Sequence, residues 1–260
     1  MSIHLGQHFL KDKISLEKIV EALNIERDDF IIEIGSGHGE LTKEIRNQNL
    51  ESKIIAIEKD KKMANFLKEN LKNDKNIEIV EGNALKILPE LIENWNLDFV
   101  IWKLVGNIPY YITSYLFRIL AGLEPKPKII VFTIQKEVAE RIVCKNGMNL
   151  LAASIQFWAK PEIVGYIPKT AFGPQPKVDS VIIKLTPKFS KSYQLKAESY
   201  YPFIKILFKQ PRKTILNNLR DTKNVNPREC REKLLKIGVN PNDRPQNLSI
   251  KQIISLSTLF

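Results

Sequence analysis

The sequence predicts an α/β fold with a mainly parallel β-sheet, followed by a small helical domain. Short runs rich in β-branched residues alternate with segments whose apolar residues recur every three or four positions. Such alternation is typical of βαβ units, in which helices cover both faces of a parallel sheet. Beyond residue 187 the strand-like runs stop and only helical patterns follow. We therefore predict one domain at 1–186 and a second at 187–260.

Seven strand-like runs make up the predicted sheet. The five that alternate with helical segments are residues 30–34, 53–58, 77–80, 99–105 and 128–134. Two further runs, 162–167 and 178–185, are joined by a proline-rich loop, and we predict that they pair as an antiparallel edge. Helical spacing is found at residues 41–45, and one face of the next helix is predicted to carry Met63, Phe66, Leu67 and Leu71.

The C-terminal region has its own helix signals. Pro211 is predicted to interrupt the first helix there, because proline cannot continue a helix. Pro227 is placed to open the second helix, and Gly238 to end it. Ser249 and Gln252 have the spacing of a capping box ahead of an apolar run. These signals predict a small all-α domain.

The composition is that of a globular protein without a membrane span. Hydrophobic residues make up 43% of the 260, and no stretch of 18 uncharged apolar residues occurs. The first residues lack the apolar region of a secretory signal, so we expect a cytoplasmic protein. Cys144 and Cys230 lie far apart without CxxC spacing, and the three histidines form no metal set. We expect a monomer without a metal site.

The positive charge of the chain is concentrated near its C-terminus. Residues 187–260 contain 15 Lys and Arg against 5 Asp and Glu, whereas the other 186 residues contain 25 against 24. A lysine-rich proteome would have spread the excess over both parts. The C-terminal region is therefore predicted to face a polyanion such as RNA.

A glycine-rich turn follows the first predicted strand in the segment Glu33-Ile34-Gly35-Ser36-Gly37-His38-Gly39. Glycines suit a tight turn that a ligand approaches closely, and the helix that follows offers free N–H groups. Glu58, 23 residues after Gly35, is placed at the end of the next strand to accept hydrogen bonds from ribose hydroxyls. The third glycine comes one residue too early for a dinucleotide dehydrogenase, and no Lys-Ser/Thr pair follows as in an NTPase P-loop. The spacing therefore favours S-adenosylmethionine over NAD, although such glycines can also be purely structural.

Asn83 lies at the end of the third predicted strand, in Gly82-Asn83-Ala84-Leu85. From there its side chain could reach the adenine of the cofactor. It could equally be an ordinary turn residue or helix cap, because asparagine is preferred in both places.

The fourth predicted strand ends in Asn107-Ile108-Pro109-Tyr110, at the edge of a parallel sheet where α/β proteins bind ligands. A turn with these residues could hold an adenine whose exocyclic nitrogen is to be methylated. That nitrogen is a poor nucleophile because its lone pair is delocalised into the ring. Two acceptors that bind its N–H groups out of plane would favour a nitrogen with an available lone pair. The Asn107 side-chain oxygen and the Ile108 carbonyl, which Pro109 holds in extended geometry, are candidates for these acceptors.

Tyr110 offers a ring on which an extruded base can stack, worth about 1–3 kcal/mol. No catalytic carboxylate is expected here, because a sulfonium is a good leaving group and alignment contributes more than a strong base. The alternative is a structural turn with a buried aromatic residue. The glycine-rich turn and Glu58, which precede it in the correct order, favour the functional interpretation.

With these motifs in order, the chain closely resembles the ribosomal RNA adenine dimethylases, most of all the KsgA type. The resemblance covers nearly the whole sequence. The strings that carry it are Gly6-Gln7-His8-Phe9-Leu10, the glycine-rich turn, Asn107 to Thr113, Gln135 to Arg141, Phe172 to Ser180, Arg212-Lys213-Thr214 with Asn217-Asn218-Leu219, and Arg244-Pro245 with Leu248-Ser249.

The resemblance implies a Rossmann-like class I methyltransferase fold with a mainly parallel seven-stranded sheet and an all-α C-terminal domain. It also implies dimethylation of N6 on two adjacent adenosines near the 3′ end of small-subunit rRNA, within a 30S precursor particle. The residues it places at the S-adenosylmethionine site are His8, Leu10, Gly35, Gly37, Glu58, Asn83 and Asn107. Asn107, Ile108, Pro109 and Tyr110 would hold the target base, Phe172 would close over its other face, and Arg212 and Lys213 would contact the RNA.

The sequence departs from the family pattern in three places, two single residues and one segment. The family usually has asparagine at position 8 and aspartate at position 83, where this chain has His8 and Asn83. Asn83 keeps an acceptor oxygen but lacks the charge that strengthens such a hydrogen bond. Residues 147–152 also differ from the usual tyrosine-glycine-leucine-serine pattern.

Three other functions remain open at the level of the sequence. A large-subunit rRNA methyltransferase of the macrolide-resistance type shares the glycine-rich turn and the Asn-Ile-Pro-Tyr segment. A non-catalytic 30S assembly factor would suit the basic C-terminal region. An NAD-dependent oxidoreductase is the most distant alternative.

Overall fold

The computed structural model describes residues 8–48, 51–94, 101–188, 191–220 and 226–260, and the backbone alone for 191–196. Its strands, in chain order, are β1 (Phe9–Leu10), β2 (Phe30–Ile34), β3 (Lys53–Glu58), β4 (Ile77–Glu81), β5 (Trp102–Asn107), β6 (Ile129–Gln135), β7 (Ala159–Ile167), β8 (Phe172–Gly173) and β9 (Ser180–Pro187). Its helices are α1 (Lys13–Leu23), α2 (Glu40–Gln48), α3 (Lys61–Asn70), α4 (Ala84–Asn94), α5 (Thr113–Gly122), α6 (Lys136–Val143), α7 (Leu150–Gln156), α8 (Lys191–Leu207), α9 (Ile215–Arg220), α10 (Pro227–Lys236) and α11 (Ile250–Ser257).

Seven of the strands form one sheet in the order β4-β3-β2-β5-β6-β9-β7. The strands from β4 to β6 are parallel to their neighbours, and β9 pairs antiparallel with β6. The predicted fold is thereby confirmed, including the antiparallel edge formed by β7 and β9. Predicted residues 99–100 lie outside the described part of the chain, and β5 extends two residues beyond the predicted end at Val105, to Asn107.

The predicted apolar face of α3 is partly wrong. Ala64 and Leu67 are the buried residues of this helix, whereas the Phe66 side chain is 48% exposed. Phe66 directly precedes Leu67 in the sequence, and successive side chains of a helix point about 100° apart around its axis. Phe66 is an exposed aromatic residue without a role in the core.

A buried ion pair links the start of β5 to the segment before β2. Lys103 is 0% exposed, and its ammonium group donates hydrogen bonds to the Asp29 carboxylate and, at 2.5 Å, to the Asn24 carbonyl. Asp29 also accepts a hydrogen bond from the Glu26 backbone N–H at 2.6 Å. A lysine inside a predicted apolar strand is therefore a paired structural residue, which the sequence pattern did not indicate.

The chain forms two compact units. The first consists of the residues up to Ala139 together with Pro161–Pro187, and the second of Glu140–Lys160 with Lys188–Phe260. Within the second unit, α7 contacts α8 and α11. Segment 140–160, which we had predicted to belong to the N-terminal domain, therefore packs with the C-terminal helices.

Side-chain contacts within the second unit explain this grouping. The Tyr200 ring of α8 stacks on Phe157 with 3.9 Å between centroids, and its hydroxyl donates to the Ala153 carbonyl at 2.9 Å. The helix signals of this unit are confirmed. A break separates α8 from α9 around Pro211, and the Ser249–Gln252 capping box opens α11.

In the parts of the chain that the structure describes, no helix is long and apolar enough to cross a membrane. The same residues include no group of three His, Cys, Asp or Glu side chains that could hold a metal ion. Cys144 and Cys230 are both free thiols.

Candidate active site

One cavity lies at the carboxyl edge of the sheet, where β2, β3, β4 and β5 end. Such an edge is where open α/β sheets bind their ligands. The sequence-predicted residues that line this cavity are His8, Gly35, Gly37, Glu58, Asn83, Asn107, Ile108, Pro109, Tyr110 and Phe172. Leu10 does not line it but is buried next to it, and Arg212 and Lys213 belong to the second unit.

The glycine-rich turn after β2 needs its glycines for conformation and for space. Gly35, Gly37 and Gly39 have φ angles of +72°, +56° and +85°, a left-handed region that other residues rarely adopt. A Cβ atom at Gly37 would lie 2.9 Å from the Phe9 ring. The turn is therefore held in one compact shape against β1.

Glu58 is a buried carboxylate that braces this turn. It is 2% exposed and accepts the Gly37 backbone N–H at 2.8 Å and the Asp60 backbone N–H, also at 2.8 Å. An ionised carboxylate has about four acceptor positions. The two acceptor positions that remain suit the pair of ribose hydroxyls of an adenosine-type cofactor. The hydrogen-bonding groups of the cavity therefore fit such a cofactor.

Asn83 has the helix-capping role, one of the two that the sequence left open, and it also lies at the cavity. Its side-chain oxygen accepts the Leu85 backbone N–H at 3.1 Å, and so it caps the start of α4. The same residue lines the cavity. Because one acceptor position of its oxygen is committed to the cap, Asn83 has less capacity for a ligand amine than a free carboxylate would have.

The orientation of the Asn107 amide is set by the segment that contains β1. Its Nδ2 donates a hydrogen bond to the His8 carbonyl at 2.7 Å. Within the described residues, the Asn107 Oδ1 atom has no protein donor. The amide thus has its nitrogen committed and its oxygen available as an acceptor at the end of β5.

His8 itself is anchored by a second contact. Its Nδ1 is 2.7 Å from the Pro174 carbonyl. This contact and the pairing of β1 with β8, in the register Phe9↔Gly173 and Leu10↔Phe172, fix the segment on which Asn107 depends. The two-residue strands β1 and β8 were not predicted from the sequence, because neither run is long enough to give a strand pattern.

The Ile108-Pro109-Tyr110 segment forms the turn that we predicted after β5. The Ile108 N–H donates to the Thr133 carbonyl at 3.1 Å, which ties the turn to β6. The Tyr110 hydroxyl lies 2.9 Å from the Ser180 hydroxyl, and its ring centroid lies 5.9 Å from that of His8. Burial raises the pKa of Tyr110, so its hydroxyl stays protonated at neutral pH.

Phe172 lies in β8 and is largely buried while still lining the cavity. The resemblance implies that Phe172 closes over the target base. Its burial in β8 also makes it a packed anchor of this segment.

Gly106 is a site residue that the sequence analysis missed. A Cβ atom there would lie 2.5 Å from the Ile34 carbonyl oxygen and 2.9 Å from Ile108 Cδ1. The first of these is a backbone atom and cannot move aside. Gly106 therefore allows β2 and β5 to approach each other closely near their carboxyl ends. At this point β2 leads into the glycine-rich turn and β5 ends in Asn107.

We expect Gly106→Ala to destabilise the protein by about 1–3 kcal/mol, because the added methyl group overpacks the junction of β2 and β5. The displaced turn should also weaken binding of S-adenosylmethionine. Urea unfolding and calorimetric titration would measure the two effects. The matched control is Gly122→Ala, since no atom lies within 4 Å of a Cβ at that position. Equal stabilities of the two variants would contradict the role of Gly106.

Glu33, in β2 just before the glycine-rich turn, has a strongly perturbed carboxyl group. Burial raises the pKa of Glu33 from 4.5 to about 7, opposed by the Thr42 hydroxyl and reinforced by the negative charges of Glu58 and Glu40. The Thr42 hydroxyl donates to its carboxyl group at 2.6 Å. In the unfolded chain the pKa returns to its ordinary value. This group therefore favours folding below pH 4.5, and the contribution is lost as the pH rises through about 7.

We expect Glu33→Gln to remove the loss of stability that accompanies the rise in pH, since the glutamine side chain stays neutral. The free energy of unfolding of the variant, relative to the wild type, should rise between about pH 5 and about pH 8. Urea unfolding at several pH values would measure it. The exposed Glu69→Gln serves as the control and should show no such trend. A pH-independent difference for Glu33→Gln would refute the assignment.

Sequence comparison relates the whole chain to one family. The profile of the family described as ribosomal RNA adenine dimethylase matches residues 1–260. The protein named ribosomal RNA small subunit methyltransferase A from Dehalococcoides mccartyi is 35% identical over 250 residues, covering 95% of this chain and 84% of that protein. The protein of the same name from Mycoplasma capricolum is 37% identical over 265 residues, covering 99% and 96%.

Solved structures give a consistent result. A dimethyladenosine transferase from Plasmodium falciparum superimposes with a TM-score of 0.78 at 28% identity, over 96% of each chain. The 23S rRNA methyltransferase ErmE has a TM-score of 0.73 at 23% identity, over 96% of this chain and 98% of that one. At the lower identity, the second likeness concerns the fold alone.

Proposed function

Because this chain belongs to the ribosomal RNA adenine dimethylase family, we propose that it methylates N6 of two adjacent adenosines in the 3′-terminal hairpin of small-subunit rRNA. Each adenosine receives two methyl groups, and S-adenosylmethionine is the donor. The observation that carries the proposal is the Asn107 amide, whose nitrogen is held by the His8 carbonyl while its oxygen remains an acceptor at the cavity. The protein acts in the cytoplasm as a monomer, on a 30S precursor particle.

The residues of the Asn107 turn hold and activate the target amine. The Asn107 Oδ1 and Ile108 carbonyl oxygens accept the two N–H groups of the amine, which favours a nitrogen whose lone pair is available for attack. Extrusion of the adenine from its stack costs energy, which stacking on the Tyr110 ring offsets. The hydrogen bond between the hydroxyl groups of Tyr110 and Ser180 keeps this ring in place.

The remaining cavity residues hold the methyl donor. The glycine-rich turn would let the ligand approach the backbone closely, and the free acceptor positions of Glu58 would hold its ribose hydroxyls. His8, Asn83 and the backbone at Gly35 and Gly37 complete this half of the cavity, with Leu10 packed behind them. Catalysis then depends on alignment of the two ligands rather than on a strong base.

Methylation of ribosomal particles tests the proposal directly. The protein would be incubated with labelled S-adenosylmethionine and with undermethylated 30S or 50S particles in parallel. We expect label in the 3′-terminal hairpin of the small-subunit rRNA, as two methyl groups on each of two adenines. Label confined to the large subunit would instead support the macrolide-resistance type of activity. Binding to 30S particles without any transfer would support an assembly factor.

The basic residues of the second unit supply contacts to RNA phosphates. Arg212 and Lys213 are exposed in the loop between α8 and α9, and such contacts add affinity without base specificity. Asn218 holds this loop from within. Its side chain accepts the Gln210 N–H at 3.1 Å and donates to the carbonyls of Gln210, Lys213 and Thr214 at 3.1–3.4 Å.

We expect Asn218→Ala to weaken binding to 30S particles about tenfold, because the unbraced loop loses its fixed presentation of two cations. The backbone groups that Asn218 holds would lose this partner, which should also lower the free energy of unfolding by about 1–3 kcal/mol. Filter binding at a fixed salt concentration would measure the affinity. The neighbouring Asn217, whose side chain is exposed, provides the control Asn217→Ala. If both variants bound 30S particles with the wild-type affinity, Asn218 would have no positioning role.

A further inference from the structure

The outer face of α5 begins at the rim of the cavity and has an unusual composition. Tyr111, in the turn that precedes the helix, lines the cavity and is nevertheless 61% exposed. Tyr115 is 53% exposed, and Ser114 and Arg118 are exposed beside it. Positions 111, 114, 115 and 118 recur every three or four residues and therefore lie on one helical face.

The solvent-exposed face of a helix usually carries charged and polar residues. Single exposed apolar side chains are common on protein surfaces, but contiguous ones indicate a binding surface. Here two large aromatic rings follow each other within about one helical turn, roughly 6 Å along the axis. The inner face of the same helix supplies the core residues Leu116, Phe117 and Leu120, so burial of the helix does not require the two tyrosines.

The charge on this face is positive. Arg118 is the one charged residue of α5, and its guanidinium lies 5.9 Å from the centroid of the Tyr115 ring. An arginine over an aromatic ring can contact a phosphate while the ring stacks on a base. Aromatic rings interleaved with a cation match the chemistry of a nucleotide, which has both a planar base and a phosphate.

We infer that Tyr111, Tyr115 and Arg118 form a stacking surface for the nucleotides that flank the target adenosine. The inference rests on the proposed function and adds a binding surface to it. Continuity with the base-binding turn identifies the occupant, because Tyr111 directly follows Tyr110 in the chain and lines the same cavity. A strand whose adenine enters the cavity at Tyr110 has its neighbouring nucleotides at this rim.

The double variant Tyr111→Ala/Tyr115→Ala tests the inference. Stacking on one aromatic ring is worth about fivefold or more in affinity. We expect the KM for undermethylated 30S particles to rise at least tenfold, while the Kd for S-adenosylmethionine stays at the wild-type value. The Phe variants at both positions, which keep the rings, should restore the low KM. Phe66→Ala, which removes an exposed aromatic residue from α3, is the matched control and should leave the KM unchanged.

A binding measurement separates this inference from the proposed activity. An RNA hairpin with two adjacent adenosines would carry the fluorescent base 2-aminopurine in the nucleotide that follows them. Stacking of this base on a tyrosine would quench its fluorescence. We expect quenching by the wild type and by the Phe variants but not by the double Ala variant. Equal quenching and equal KM for the wild type and the Ala variant would overturn the stacking surface. Absence of methylation by the wild type would contradict the proposed activity alone, since the fluorescence measurement requires no methyl transfer.

Discussion

Asn107→Ala should lower the rate of methyl transfer by about 10²–10³-fold, the usual effect of removing one group that is aligned with the reacting centre. The variant loses the Oδ1 acceptor that holds the amine. It also loses the hydrogen bond of 2.7 Å from Nδ2 to the His8 carbonyl. Asn107 belongs to the first unit, whereas Arg212 and Lys213 belong to the second, so the affinity for 30S particles should survive. Single-turnover transfer of labelled methyl groups would measure the rate, and filter binding the affinity.

Asn107→Asp separates the two contributions. Aspartate keeps an acceptor oxygen but cannot donate to the His8 carbonyl. We expect its rate to lie between those of the wild type and the Ala variant. A rate for Asn107→Ala within tenfold of the wild type would exclude Asn107 as the principal acceptor. Loss of 30S binding together with the rate would indicate a general structural defect instead.

Lys103→Met should destabilise the protein by about 3–5 kcal/mol, the usual effect of breaking a buried ion pair from one side. The Asp29 carboxylate would remain buried with the Glu26 N–H as its remaining hydrogen-bond donor among the described contacts. Urea unfolding would give the free energy. The matched control is Lys128→Met, whose exposed ion pair with Glu26 at 2.9 Å should contribute far less to stability.

The double variant Lys103→Met/Asp29→Leu sharpens this test, because it removes both buried charges at once. It should recover part of the lost stability, since apolar residues of similar volume often replace buried ion pairs without loss, while the Glu26 N–H and the Asn24 carbonyl lose these hydrogen bonds. Equal stabilities of Lys103→Met and Lys128→Met would contradict the effect expected of burial. Lys103 lies at the opposite end of β5 from Asn107, about 13 Å away along the strand. The folded fraction of each variant should therefore keep the wild-type rate of methyl transfer.

The sheet and the position of the cavity were predictable because they depend on local patterns. Runs such as Phe30–Ile34 and Lys53–Glu58 carry their strand propensity in their own residues. The rule that parallel strands end at one edge then brings Glu58 and Asn107 to the same cavity. The prediction for these two residues required no knowledge of side-chain contacts.

Contacts between distant segments were not predictable in the same way. Lys103 lies in an otherwise apolar strand, and its partner Asp29 precedes β2, 74 positions earlier in the sequence. Gly106 has no local turn to indicate it, and its importance comes from a carbonyl oxygen on a neighbouring strand. The grouping of segment 140–160 with the C-terminal helices likewise follows from packing between α7 and α8. Each of these contacts joins segments that are far apart in the sequence, and a pattern along the chain does not show which distant segments will meet in the fold.

The pairing of β1 with β8 also sets the order in which the protein can mature during its own synthesis. His8, whose carbonyl orients Asn107, directly precedes Phe9, and the residue that pairs with Phe9, Gly173, is added to the chain 164 positions later. At the usual rate of elongation, this separation corresponds to roughly ten to thirty seconds. A nascent chain that has completed β2 to β6 therefore still lacks the clamp on its N-terminal segment. The segment whose His8 carbonyl orients the Asn107 amide therefore gains its strand partner only once β8 has been synthesised.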